Sequence, residues 1–205
     1  MKKLIILLSV TFFLAGCVDT TGLSSLTSKT PRGDPNANVV VTEFSDFECP
    51  ACRTTHVITT QPLLEKYGTK IRFDFKQFPL LTIHELALPL AEASECAADQ
   101  GKFWEFVDMV YEQQLAMDKE QKKVASSDIA TWAQSLGLNM EVFGRCTASH
   151  IKKAAVLAEF EEGRKLNVGG TPTFFVNGKQ LEQNDLASVS AAINAALAVD
   201  GTRKL

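Results

Sequence analysis

The stretch Val39-Val40-Val41-Thr42-Glu43-Phe44-Ser45-Asp46-Phe47-Glu48-Cys49-Pro50-Ala51-Cys52 decides the fold. Its first half is a β-branched and apolar run, the pattern of a central strand buried on both faces. Its second half opens a helix, because Pro50 suits a first helical turn, where a missing N–H costs no hydrogen bond. Two cysteines separated by two residues therefore stand where a strand hands over to a helix N-terminus. The free N–H groups of a first turn and the positive end of the helix dipole point at the first sulfur, lower its pKa and make it a nucleophile. The second sulfur, one turn further in, can close a ring on it. Cys49 is the expected attacking thiol and Cys52 the resolving one.

Working outward, the helix after Cys52 meets Pro62, which should break or kink it before a restart through Tyr67 to Gly68. Ile71, Phe73 and Phe75 then alternate with Arg72, Asp74 and Lys76, a half-buried strand that ends at Pro79. Parallel pairing of the two strands requires the intervening helix as a right-handed crossover. From about His84 to Asn167 there is no strand signal. Leu86, Leu90, Ala93 and Ala97 share one helical face, and Phe103, Phe106, Val107, Val110 and Tyr111 another, with Gly101 between them. Ser126 or Ser127 and Asn139 are placed to cap two further helices, around Ile129 and Trp132 and through Phe143, and an Ala-rich helix runs from about His150 towards Leu166. Trp104 and Trp132 read as core of this block. Strands return with Thr173-Phe174-Phe175-Val176, the hairpin pair Asn177-Gly178 and Lys179-Gln180-Leu181. A last helix, capped by Asn184 or Asp185, aligns Leu186, Val189, Ile193 and Leu197. The order is that of an α/β fold into which an all-helical block has been inserted.

The ends read as address and anchorage. Met1-Lys2-Lys3 and the apolar run through Leu14 form a secretory signal, too short for a comfortable span. Leu14-Ala15-Gly16-Cys17 resembles the bacterial lipoprotein box, which makes 1–16 the signal peptide and Cys17 the lipidated residue. Residues 17–35, rich in Ser, Thr and Gly, have little apolar surface and read as a flexible tether. The remaining expectations are a first α/β part over 36–82, the helical insertion over 83–166 and the second α/β part over 167–205.

Composition excludes some function classes. A net charge of −3 over 205 residues leaves no electrostatic footprint for nucleic acid. In an oxidising compartment each of the five cysteines must be accounted for. Cys17 goes to lipid and Cys49 pairs with Cys52. Cys96 and Cys146, both inside the helical block, are expected to form a structural disulfide that staples it, the alternative being two separate buried thiols. A zinc site needs further ligands at compatible spacing. Cys96, Cys146, His56, His84 and His150 are scattered, so no metal and no cofactor is expected. A static Cys49–Cys52 bridge is the other alternative, although short loops gain least from closure.

Two motifs together make the chain recognisable. Phe44-Ser45-Asp46-Phe47-Glu48-Cys49-Pro50-Ala51-Cys52 and Gly169-Gly170-Thr171-Pro172-Thr173-Phe174-Phe175-Val176-Asn177-Gly178, with Ala97-Ala98-Asp99-Gln100-Gly101-Lys102-Phe103-Trp104 between them, resemble the DsbA-like thioredoxin family over about residues 38 to 198. The resemblance implies a thioredoxin fold with an inserted all-helical subdomain. It places Thr171-Pro172 as a cis-proline loop facing the cysteines, where Thr171 can pair with a substrate peptide. It also makes Glu43 the buried acid beneath the site, which relays a proton to Cys52.

Two departures bear on direction. Strongly oxidising members carry His where this chain has Ala51, and Glu48 sets a negative charge beside Cys49. Both features should raise the thiol pKa and weaken the couple as an oxidant. His56 reads as a surface residue and His84 as structural. The function expected is extracytoplasmic, lipid-anchored thiol–disulfide exchange with proteins carrying thiols or disulfides, as an oxidase before an isomerase or reductase. An unidentified redox partner would recycle the pair, and a monomer is expected. A non-catalytic peptide-binding lipoprotein is the rival reading.

Overall fold

In the computed structural model, residues 20–203 are described. Five strands form one mixed sheet in the order β1-β3-β2-β4-β5: β1 (Arg32–Gly33), β2 (Val40–Ser45), β3 (Arg72–Gln77), β4 (Thr173–Val176) and β5 (Lys179–Gln180). β2 runs parallel to β3, from Val40 against Arg72 to Ser45 against Gln77, and antiparallel to β4. The crossover between β2 and β3 is helical throughout: α1 (Pro50–Thr55), a π-helical turn (His56–Thr60) and α2 (Gln61–Tyr67). Pro62 explains the π-turn. It cannot donate to the carbonyl four residues back and its ring crowds that position, so the chain widens before it, with Gln61 N–H reaching His56 O.

The insertion holds α3 (Ala87–Ala98), α4 (Phe103–Lys119), α5 (Ser126–Ser135), α6 (Met140–Ser149) and α7 (Lys153–Lys165), and α8 (Leu186–Arg203) closes the chain. Asn139 caps α6 by accepting from Glu141 and Val142 N–H, and Asp185 accepts from Ala187 and Ser188 at the start of α8. The Asn177-Gly178 turn takes positive φ at both residues, 48° and 77°. Asn177 also accepts from Val40 N–H and donates to Val40 O, which clips the hairpin onto β2.

Three apolar clusters hold the layers together. Leu63, Tyr67, Val189 and Ile193 pack on Val41, Phe73 and Phe174. The insertion closes around Phe106, Val107, Val110 and Tyr111 and reaches the sheet through Phe47 and Phe75, taking Cys49 and Cys52 into the same cluster. The third is the smallest: Phe44, Phe78 and Phe175, with Phe160 of α7. It is closed at Gly163, where a Cβ would stand 2.7 Å from the Phe78 ring and 2.9 Å from that of Phe44. Gly163→Ala should therefore destabilise by roughly 1–3 kcal/mol, the usual cost of overpacking. Urea unfolding measures it, and an unchanged midpoint would show that α7 can slide away from β2.

The segment read as a flexible tether is docked along its described part, and this corrects the sequence reading. Lys29 Nζ lies between Glu95 (2.7 Å) and Glu159 (2.6 Å), both buried. Thr27 donates to Glu95, Trp104 Nε1 donates to Thr30 O, and the Arg32 guanidinium lies 4.6 Å from the centre of the Trp104 indole. Trp104 thus faces this segment and Phe73 and Phe75 of the sheet as well as its own block. Gly33, at φ +84, brings its backbone so near Ile71 O that a Cβ would stand 2.2 Å from it. Composition had measured only apolar area. What fixes residues 27–33 is the need of buried carboxylates for a partner, which a count of apolar residues does not register.

Candidate active site

Cys49 is the N-cap of α1, with φ −72 and ψ 121, and Pro50 occupies the first turn. The approach to the helix is built by Asp46. Its Oδ1 accepts from Glu48 N–H at 2.7 Å and its backbone carbonyl from Cys49 N–H at 3.2 Å, an Asx-type turn that sets the cap. Asp46 Oδ2 reaches outward to Leu80 N–H and His84 Nδ1, each at 2.8 Å, and ties this turn to the loop after β3. Asp46 backbone N–H points at Cys52 Sγ from 3.5 Å.

The two sulfurs differ as an attacking and a resolving thiol should. Cys49 retains 7% of its surface and Cys52 none. Hydrogen bonding from the Cys52 thiol is the largest influence on Cys49. With the Thr171 hydroxyl and the Cys52 and Ala51 N–H groups it outweighs burial and lowers the Cys49 pKa to about 5. Cys52 moves well above the ordinary thiol range, through burial first and then through the shared hydrogen bond and the charge of Cys49. At neutral pH the pair holds one proton, on Cys52. Alkylation of Cys49 by iodoacetamide should titrate with a midpoint of about 5. A midpoint in the ordinary thiol range would show that the Cys52 thiol does not donate to Cys49.

Thr171-Pro172 is a cis peptide. Cys49 Sγ lies 3.5 Å from Thr171 O, to which it donates only as the thiol, so this loop and the helix N-terminus meet at the reactive sulfur. Thr171 Oγ1 is buried without another partner, which leaves its proton for the Cys49 thiolate.

Glu43 sits on β2 with 1% of its surface exposed. Thr60 donates to Glu43 Oε2 at 2.8 Å, and Oε1 has no hydrogen-bond partner. Burial raises the Glu43 pKa, opposed by His56, Thr60 and Ser45. Ser45, two residues along the same strand face, is hydrogen-bonded to Tyr111 Oη at 3.0 Å and also influences the Cys52 thiol. The strand thus sets a carboxyl and a hydroxyl side by side, and of the two the hydroxyl reaches the resolving sulfur.

Some expectations fail. Ala51 removes a side-chain donor, yet its backbone N–H and those around it suffice to lower the Cys49 pKa. Glu48 is not among the largest influences on the sulfur, and its carboxylate accepts from Leu86 N–H at 2.7 Å. His56 is 1% exposed rather than at the surface. Its N–H bonds Cys52 O in ordinary α-helical register, so it shares the buried face of Cys52 one turn on; the partner that pairs it there, Asp108, was not readable. Cys96 and Cys146 are bonded to one another, with Cα atoms 5.9 Å apart, and link α3 to α6. Cys17 lies outside the described residues.

Asp46 and Ser45 are the functional neighbours that sequence reasoning passed over. An Asp three residues ahead of a helix-capping Cys is an Asx-turn signal, and it was available. Arg53 was not recognised either. It is buried, donates to Gln114 Oε1 and pairs with Asp118, anchoring α1 to α4.

With the geometry in place, the likeness to known proteins can be read. A family model described as thioredoxin matches residues 26–195. Among curated proteins the chain is 37% identical over 174 residues to the Na(+)/H(+) antiporter NhaA 1 of Salinispora arenicola, covering 84% of this chain and 25% of the relative. It is 31% identical over 171 residues to the NhaA antiporter of Herminiimonas arsenicoxydans, at 80% and 25% coverage. The chain spans about a quarter of the length of these curated relatives. BdbD of Bacillus subtilis, in its oxidised form, superposes with a TM-score of 0.74 at 22% identity, covering 83% of this chain and 94% of that one. The Wolbachia pipientis protein α-DsbA1 superposes with a TM-score of 0.70 at 20% identity, covering 86% and 94%. At such identities these likenesses speak for the fold.

Proposed function

The chain belongs to the thioredoxin family, and on that premise we propose that it is a DsbA-like, extracytoplasmic thiol–disulfide oxidoreductase acting on proteins, most naturally as an oxidase. Cys49 is the nucleophile, Cys52 the resolving thiol, Glu43 the buried acid that exchanges a proton with Cys52, and Thr171-Pro172 the loop that receives the substrate backbone. The observation that carries this reading is the division of labour between the sulfurs, with a Cys49 pKa of about 5 beside a fully buried Cys52. A low nucleophile pKa stabilises the dithiol over the disulfide, which makes the disulfide a stronger oxidant. The lowered Cys49 pKa favours oxidation of clients despite Ala51 and Glu48.

In the oxidative direction a client thiolate attacks Cys49 Sγ of the disulfide, and Cys52 leaves as a thiolate and takes a proton from Glu43. A second client thiolate then attacks the client sulfur of the mixed disulfide, releasing Cys49 as a thiolate and the client as a disulfide. Two electrons pass from the client to the pair, and an extracytoplasmic redox partner must remove them.

Measuring the Cys49/Cys52 reduction potential against glutathione tests the direction. A value near the −120 mV of strong oxidants supports the oxidase, and one near the −270 mV of thioredoxin-like reductants overturns it. Lipidation at Cys17 would hold the protein at a membrane surface, and Cys17→Ala should release it to the soluble extracytoplasmic fraction. The antiporter name of the curated relatives does not carry over. The chain spans a quarter of their length, and among its described residues no helix is long and apolar enough to cross a membrane.

A further inference from the structure

One chain of ionisable groups, buried at His56 and half-buried at Asp108 and Arg32, lies outside the exchange machinery described above. His56, in the π-turn, presents Nε2 to Asp108 Oδ1 at 2.9 Å. Asp108 stands on α4, and its other oxygen, Oδ2, is held by Arg32 of β1 at 2.5 Å. The imidazole packs against the Tyr111 ring with centroids 4.9 Å apart. On its own segment, one turn further, Thr60 donates to Glu43. His56 and Thr60 therefore lie on the face of the crossover that covers β2 at Glu43. The charged and titratable groups facing this point are Glu43 from β2, Asp108 and Tyr111 from α4, Cys52 from α1 and, through Asp108, Arg32 from β1.

A buried imidazole is costly unless it is paired. Asp108 fixes the imidazole on the face of the crossover that covers Glu43, and from there His56 opposes the burial that raises the Glu43 pKa. Glu43 needs such help, because one of its oxygens is buried with no donor. A carboxyl locked as the acid could give its proton to a departing Cys52 thiolate but could not take one back.

We propose that His56, oriented by Asp108 and, through Asp108, by Arg32 of the N-terminal segment, is the positioning residue that keeps Glu43 able to both give and accept the Cys52 proton. The inference rests on the exchange reading and on the relay role of Glu43 and adds the group that sets the relay's working range. It also gives the docked N-terminal segment a part in the chemistry, since Arg32 fixes which Asp108 oxygen meets the histidine. His56 touches neither sulfur and works only through Glu43. His56 counteracts burial at Glu43, so its loss should leave Glu43 protonated to higher pH and move the proton-accepting limb of the reaction upward.

The test follows single-turnover reduction of a client disulfide by the reduced full chain across pH, in wild type, His56→Gln, Glu43→Gln and the double variant. In the resolving step Cys52 loses its proton to Glu43 and attacks Cys49 Sγ. The Cys49–Cys52 bond forms, the Cys49–client bond breaks and the client thiolate departs. His56→Gln keeps a neutral donor towards Asp108. It should shift the pH midpoint of this step upward by about one unit, or roughly tenfold in rate at a fixed pH below it, the lower end of what a neighbouring opposite charge does to a carboxyl. Glu43→Gln should slow the step by itself, and adding His56→Gln should then change nothing more. Alkylation of Cys49 should keep its midpoint in every variant, a readout that a general loosening of the site would disturb. If His56→Gln fails to fold, Asp108→Asn carries the same prediction from α4.

An unmoved profile in His56→Gln overturns the proposal, and so does an equal shift in the Glu43→Gln background. If Glu43→Gln leaves the step untouched, the relay and this inference fall together while the exchange reading stands. If no variant, wild type included, turns over a disulfide, the exchange reading itself has failed.

Discussion

Replacing Cys49 by Ser is expected to abolish disulfide exchange, with a loss on the order of a thousandfold or more, as when the nucleophile is removed from an enzyme acting through a covalent intermediate. The opposite replacement, Cys52→Ser, should leave attack intact and remove resolution. Reducible adducts between Cys49 and client proteins should then accumulate on non-reducing gels. The asymmetry follows from burial, since Cys49 alone has surface to offer and Cys52 is sealed beneath it. The replacement at position 52 also matters for rate. The Cys52 thiol is the largest influence lowering the Cys49 pKa to about 5, and a serine hydroxyl keeps a donor there. Cys52→Ala does not, so its Cys49 pKa should rise and its adducts should form more slowly below neutral pH. Retained activity in Cys49→Ser together with no adducts in Cys52→Ser would sink the assignment of roles.

Much of this site could be read before any coordinates because its parts are local. A strand, a capping Cys, a first-turn Pro and a second Cys one turn on are neighbours in sequence, and the chemistry follows from their spacing. The hairpin at Asn177-Gly178 and the cap at Asn139 were legible for the same reason, each being settled within four residues. What escaped depends on distant partners. His56 is tolerated as a buried residue, one α-helical turn past Cys52, because α4 brings Asp108 against it. The docking of residues 27–33 required Glu95 and Glu159, from two helices of the insertion, to converge on one lysine. Glu48 looked hostile to a thiolate from its place in the sequence. In the fold it accepts from Leu86 N–H and is not among the largest influences on the sulfur.

Removing the second disulfide, by Cys96→Ala with Cys146→Ala, is expected to cause the largest change in stability of any substitution considered. Closing a loop across 50 residues removes unfolded-state entropy worth about 4 kcal/mol on the chain-entropy model. For a domain of this size that corresponds to a fall in Tm of roughly 8–16 °C. Both cysteines are buried, so trimming each to Ala also leaves a small void, which adds to the loss. The damage should be uneven. The bond joins α3 to α6; α3 carries Glu95, which holds Lys29, and is capped at its C-terminus by Asp99, which pairs with the buried Lys152. Hydrogen exchange should therefore accelerate across the insertion and along residues 27–30 before it does in β2, β3 or β4. The active-site pair lies outside the closed loop, on β2's own connection, so the Cys49 alkylation midpoint should stay where it is while the stability falls. Urea unfolding of the double variant, followed by tryptophan fluorescence, measures the first effect, because Trp104 and Trp132 both lie within the loop. A loss under about 1 kcal/mol, within the scatter of ordinary surface substitutions, would mean that the aromatic packing of α4 and the lysine–carboxylate contacts already order the insertion in its reduced state. The bridge would then be dispensable for the fold.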